Sequence, residues 1–152
     1  MKKPALDPAT VEGRSGSIYP APFQAAVAGR VKRRLGDALG LSDFGVNLVE
    51  LAPGAASALR HWHSAEDEFI HVLSGELTLV TDAGEQVLSA GMCAGFPKNS
   101  GDGHCLVNRT DVPASYLEIG TRAPDTDRVV YPDVDLLVEP GRRIVHRDGS
   151  PY

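Results

Sequence analysis

The chain has 152 residues, 42% hydrophobic and 23% charged, the make-up of one globular domain with room for a packed core. Its formal net charge of −5 argues against a general nucleic-acid binder, which meets phosphates with a basic surface. No apolar run reaches the roughly 18 residues of a membrane helix, and Pro4, Asp7 and Pro8 stand where a signal peptide would place its apolar stretch, so a cytoplasmic protein without membrane partners is expected.

Residues 1–28 are rich in Pro, Gly, Ser and Ala and read as an extended N-terminal arm. In Tyr19-Pro20-Ala21-Pro22 each proline fixes its own φ and keeps the preceding residue out of the helical region. Such an arm can pack on its own domain or cross to a partner subunit. One domain is expected over residues 29–152. It opens with a charged stretch, Gly29 to Leu35, whose Arg30, Lys32, Arg33 and Arg34 either protect an exposed edge strand or meet an anionic substrate. Gly36 to Asp43 reads as a turn or short helical turn. Phe44 to Leu51 reads as a strand ended by Ala52-Pro53-Gly54.

The stretch Arg60 to Val80 carries the chemistry. His61 and His63 are two apart, which in a strand puts both imidazoles on one face. Glu68 follows the polar link Ser64 to Asp67 and starts the apolar run Phe69 to Leu73, and Ser74-Gly75 turns the chain into Leu77 to Val80. Alternation places His71 opposite Glu68 and Trp62 opposite the two histidines, so neither reads as a ligand. Glu66 and Asp67 read as solvated link residues that can also orient an imidazole.

Asp82 to Glu85 is a hairpin turn, Gln86 to Leu88 a short strand, and Met92 to Phe96 an apolar run stopped by Pro97. After the polar loop Lys98 to Gly103, His104 to Asn108 alternates as a strand, with His104 and Cys105 on opposite faces. In the strand Ala114 to Gly120, Tyr116 and Glu118 share a face and are candidates for a catalytic acid or base. Arg122 to Asp127 is a loop. Short strands follow around Val129 to Tyr131, Leu136 to Val138 and Arg142 to His146, with His146 at the surface, and Asp148 to Tyr152 is a polar tail. Cys93 and Cys105 read as small buried hydrophobes rather than a disulfide or a zinc pair. Turn signals about every eight to twelve residues, without a helical period, predict an all-β sandwich or barrel.

His61, His63, Glu68 and His104 together make a mixed nitrogen and oxygen donor set suited to a divalent ion: Fe, Mn, Ni, Co or Zn. Four protein donors on a six-coordinate ion leave two positions for water or substrate, the mark of a working rather than a structural centre.

These residues resemble the two motifs of the cupin superfamily. Gly54, His61, His63, Glu68 and Gly75 match the first, with four residues between His63 and Glu68 and six between Glu68 and Gly75; six residues separate Gly54 from His61, one more than the common form. Gly91, Pro97, Gly101, His104 and Asn108 match the second, with two extra residues within Lys98-Asn99-Ser100. The resemblance implies a double-stranded β-helix, or jelly roll, in which the four donors point into the barrel and hold one divalent metal, and it implies a homodimer. The flanks look like those of a bacterial single-domain subgroup labelled either only as cupin proteins or as sugar-phosphate isomerases. The expected function is a metal-dependent enzyme, an isomerase or epimerase or else an iron-dependent dioxygenase, acting on a small polar or anionic metabolite. The alternative is a non-catalytic cupin that senses or stores a small molecule.

Overall fold

A computed structural model describes residues 4–152 of the chain. The fold is all-β, as expected, and its strands pair antiparallel in three sheets. The largest has the order β1 (Arg30–Arg34), β2 (Phe44–Leu51), β9 (Ala114–Thr121), β4 (Glu68–Ser74) and β7 (Cys93–Phe96). A second contains β12 (Arg143–Val145), β11 (Leu136–Glu139), β10 (Val129–Tyr131) and β3 (Trp62–His63); a third contains β6 (Gly84–Ser89), β5 (Glu76–Thr81) and β8 (Cys105–Val107). Isolated bridges from His61 to His104 and from Ala56 to Val107 stitch the second and third together, so two curved walls face each other as in a jelly roll. Antiparallel neighbours need only short turns, which is why punctuation by Gly, Pro and Asp was so legible.

The register of the large sheet explains where core ends and cavity begins. Successive residues of a strand point to opposite faces, so inward side chains form rows across the sheet. One row runs from Lys32 through Val49 and Tyr116 to Val72; the next runs Arg34, Asn47, Glu118, Ile70 and Ala94; the last runs Gly45, Gly120, Glu68 and Phe96. Val49, Leu51, Val72 and Tyr116 pack with Leu77, Leu88 and Leu106 of the facing wall into a closed core. Burying a Val or Leu fully contributes about 1.5–3 kcal/mol, so this end of the barrel is its anchor. In the rows holding Glu118 and Glu68, Asn47, Gly45 and Gly120 replace apolar bulk, and a cavity of about 770 Å³ opens there.

The arm is extended at Pro20 (φ −54°, ψ 156°) and then coils into a 3₁₀ helix, Ala21–Val27, because the φ that proline imposes also suits the first turn of a helix. It packs on its own domain. Tyr19 and Val27 join a second apolar cluster with Tyr131, Leu136 and Val138, and a backbone bridge joins Arg14 to Lys32 at the edge of the large sheet. The short helical turn is α1 (Leu35–Leu39). The motif residue Asn108 is fully buried and acts as a clamp: its Nδ2 donates to Leu51 O at 3.0 Å and Val112 O at 2.8 Å.

Cys105 is buried as expected, but Cys93 is exposed. It lies opposite His71 on the outer face of the edge strand β7, where alternation with the inward Phe96 puts it in solvent. The C-terminal tail folds back, with a bridge between Val145 and Pro151, and His146 pairs with Asp135 at 2.8 Å and stacks on Tyr152. Among the described residues no helix is long and apolar enough to cross a membrane.

Candidate metal centre

Three elements bring the donors together. His61 and His63 flank Trp62 on and beside β3, Glu68 opens β4, and His104 sits beside β8, tied to His61 by reciprocal backbone hydrogen bonds of 3.1 and 2.9 Å. The Glu68 carboxylate is the hub. Its Oε2 lies 2.9 Å from His104 Nε2 and 3.7 Å from His61 Nε2, and its Oε1 lies 3.6 Å from His63 Nε2. Ligand atoms of His61, Glu68 and His104 all fall within 4.8 Å of one another; His63 reaches this group through Glu68 and also clusters with Glu66 and Asp127.

The rings are oriented by what their outer nitrogens do. His61 Nδ1 donates to Leu59 O at 2.8 Å, and His63 Nδ1 donates to Asp127 Oδ2 at 2.6 Å. Each bond fixes the tautomer and leaves the Nε2 lone pair facing Glu68, the arrangement by which carboxylates and carbonyls orient metal-binding imidazoles. The His104 ring is held by parallel stacking on Phe96, 3.6 Å between centroids. His104 Nε2 approaches Glu68 Oε2 off the hydrogen-bonding direction, so this buried oxygen lacks a donor although a nitrogen is 2.9 Å away.

An orphaned buried carboxylate oxygen is costly, and one faced by nitrogen lone pairs is more so. A divalent ion resolves both faults. Donors around one such ion stand about 3 Å apart, given metal–ligand distances of about 2.0–2.2 Å, and the three imidazoles lie 2.9 to 3.7 Å from the Glu68 carboxylate. The residues present therefore fit a metal.

The electrostatics point the same way. Burial holds His61 down at about 4, so its imidazole is neutral at neutral pH. Burial alone would raise Glu68, but the approach of His104 and the fields of His61 and His63 outweigh it and hold the carboxyl at about 2. Burial opposes a charge on His63 too, yet Glu68 and Asp127 prevail and raise it. Burial pushes the Tyr116 hydroxyl well above the ordinary tyrosine range, so it stays protonated in the cavity wall.

Glu118 lies in the inward row beside that of Glu68 and lines the same cavity, with its carboxylate 3.0 Å from Lys32 Nζ. Of the cations at the start of the domain, Arg30, Lys32 and Arg34 occupy inward register positions and line the cavity, while Arg33 faces outward and pairs with Glu50. Trp62 and His71 are not among the cavity-lining residues.

Asp127 orients His63, a role that sequence reasoning considered only for Glu66 and Asp67. Glu66 instead caps Ala123 N, and Asp67 receives Lys98 N at 2.8 Å. That contact, with Asn99 N donating to His63 O, pins the two extra residues of the second motif against the centre. Asp127 lay in an aperiodic loop 64 positions from His63, and Phe96 read simply as apolar, so neither carried a local signal.

A profile of the Cupin_2 cupin domain matches residues 47–120. The chain is similar to a crystallised sugar phosphate isomerase of the cupin superfamily from Silicibacter pomeroyi, with 48% identity over 98% of this chain and 96% of that one and a TM-score of 0.92. It is also similar to a candidate sugar phosphate isomerase from Acidithiobacillus ferrooxidans, with 32% identity over 81% of this chain and 80% of that one and a TM-score of 0.72. The polyketide cyclase RemF of Streptomyces resistomycificus shares the fold at 21% identity over 80% of each chain, with a TM-score of 0.66. Among curated proteins nothing matches. With this barrel, this cluster and these relatives, the chain belongs to the cupin superfamily.

Proposed function

We propose that the chain is a metal-dependent isomerase of a small sugar-phosphate-like metabolite. The observation that supports this reading is the grouping of His61, His63 and His104 around the Glu68 carboxylate, in a cavity whose wall also presents Glu118. These four side chains would hold one divalent ion, which supplies polarisation of a substrate carbonyl and hydroxyl when bound. The names of the two relatives above 30% identity support the substrate class.

In this reading Glu118 moves the proton. An aldose–ketose isomerisation moves one proton from the hydroxyl-bearing carbon to the carbonyl carbon beside it and a second from the hydroxyl to the old carbonyl oxygen. One carboxylate can carry the carbon-bound proton, the oxygens exchange theirs directly or through it, and no co-reactant is consumed. Lys32 orients that carboxylate and places a positive charge beside it. Tyr116, protonated and 1% exposed, is a hydrogen-bond donor in the same wall rather than a base.

The test is a coupled assay of protein loaded separately with Mn, Fe(II), Ni, Co or Zn, run anaerobically against a panel of pentose and hexose phosphates. Interconversion by at least one metal form, abolished in Glu68→Gln, supports the reading. Tight substrate binding without product would favour a non-catalytic binder, and turnover that needs Fe(II) and oxygen would favour a dioxygenase.

We further infer that two chains associate through the outer face of the large sheet, where Phe44, Phe69 and Leu73 stay 40–44% exposed. Light scattering should give twice the chain mass, and Phe69→Glu with Leu73→Glu should halve it.

A further inference from the structure

Within the cavity that holds the proposed isomerase centre, three of the six lining cations are already committed. Arg30 donates to Ser57 O and Gly16 O; Lys32 pairs with Glu118; Arg122 donates to Leu41 O and pairs with Asp37. Arg34 and Arg142 are not. Arg34 ends the inward row of β1 in register with Asn47 and Glu118. Its nearest carboxylate, Asp37, is 3.8 Å away, beyond hydrogen-bond distance and held by Arg122, and its side chain is 54% exposed. Arg142 lines the cavity from the turn between β11 and β12 and has no hydrogen bond or ion pair among the described residues. It also sits at φ 60°, directly after Gly141 at φ 78°. The left-handed region costs a side chain that glycine would not bear there.

The carboxylates facing this end have partners of their own, though the charge of Arg142 also acts on Glu66. Asp37 is held by Arg122, and Glu66 accepts from Ala123 N beside His63. Six cationic side chains line the cavity against four carboxylates, on a chain whose formal net charge is −5. The excess of positive charge is therefore local to the cavity and exposed at its mouth.

We propose that Arg34 and Arg142 form the subsite for the phosphate of a phosphomonoester whose other end reaches the metal-binding cluster. Two guanidiniums supply planar, paired donors matched to phosphate oxygens. The two arginines and the donor cluster line one cavity, so a ligand that meets both carries its anionic group at one end and its reacting carbons at the other. This deepens the isomerase reading and rests on it for the identity of the reacting end, while the phosphate end stands on the arginines alone.

The test is a phosphorus NMR titration with inorganic phosphate of the metal-free and the metal-loaded protein, repeated on Arg34→Gln with Arg142→Gln. Saturable binding in both forms of the wild type, weakened about tenfold or more in the double variant, is expected from the loss of two charge-assisted contacts. A wild type that does not bind phosphate, or a variant that binds it as well, overturns the subsite. Arg142→Gly relieves the backbone while removing the guanidinium, so it should keep or raise Tm and still weaken binding; unchanged binding removes Arg142 from the proposal. The two readings separate cleanly. Arginine-dependent phosphate binding without isomerase activity leaves the subsite standing alone, and isomerase activity whose KM for a sugar phosphate ignores both arginines rejects the subsite but not the isomerase.

Discussion

Asp127 holds His63 from 64 positions downstream, its Oδ2 accepting the imidazole hydrogen at 2.6 Å while its Oδ1 accepts Ala65 N at 2.8 Å. One carboxylate thus sets the ring and the link that leads to Glu68. Asp127→Asn keeps the shape but trades an acceptor for a donor. Loss of such an orienting partner typically lowers metal affinity about 10–100-fold. Competition against a fluorescent chelator should show that drop with the fold intact by circular dichroism.

Glu68→Gln probes the hub itself. The carboxylate contributes the charge that meets a divalent ion, so the variant should lose at least about 100-fold in affinity, more than an orienting partner costs. Metal held at about 100 times its dissociation constant stabilises the wild type by about 2.7 kcal/mol. That increment in thermal unfolding should vanish in Glu68→Gln and on adding a chelator to the wild type.

Acid should strip the site, and the sign follows from the individual groups. His61 is held down at about 4 by burial, so below about pH 6.5 the unfolded chain takes its proton first and stability falls with pH until about 4. Glu68, held at about 2, adds a further loss below about pH 4.3. His63 runs the other way. Its folded value is raised, so its contribution in the metal-free protein is complete below about pH 6.5 and disappears as pH rises through the folded value. Metal requires unprotonated imidazoles. The metal-dependent rise in Tm should therefore be largest near pH 8 and shrink steadily toward about pH 5, a trend that differential scanning fluorimetry reads directly.

Glu118→Gln should leave metal content unchanged and reduce kcat about 10²–10⁴-fold, the range for a general acid–base group. Lys32→Met removes the partner at 3.0 Å and should shift the pH–rate profile more than KM. Equal losses of metal from either variant would mean that the pair is structural.

Gly75, the closing glycine of the first motif, has φ 73°, and a Cβ there would lie 2.9 Å from Ala114 and from Pro113 O. Gly75→Ala should destabilise the fold by about 1–3 kcal/mol without changing the donor set, visible as a lower urea midpoint at unaltered metal stoichiometry.

The β class was legible, and His61, His63, Glu68 and His104 could be nominated, because their signals are local: a two-residue spacing, an alternating run, a glycine at a turn. Tyr116 and Glu118 could be paired on a face for the same reason. What stayed hidden depends on register between distant strands. Nothing near Asp127 marks it as the partner of His63, and nothing near Arg142 marks a left-handed turn at the cavity. Cys93 shows the limit of composition, since a small apolar residue on an outward edge position is exposed whatever its type prefers. The arm illustrates a different limit: proline at the first turn suits a helix as well as an extended chain, and contacts made by Tyr19 and Val27 with β10 and β11 decided between them.

The central claim is best tested by elemental analysis of purified protein, loaded with a divalent metal and dialysed, beside His61→Ala with His63→Ala treated identically. The account predicts about one ion per wild-type chain and close to none in the double variant. A wild type that retains no ion, or a double variant that retains as much, would contradict it.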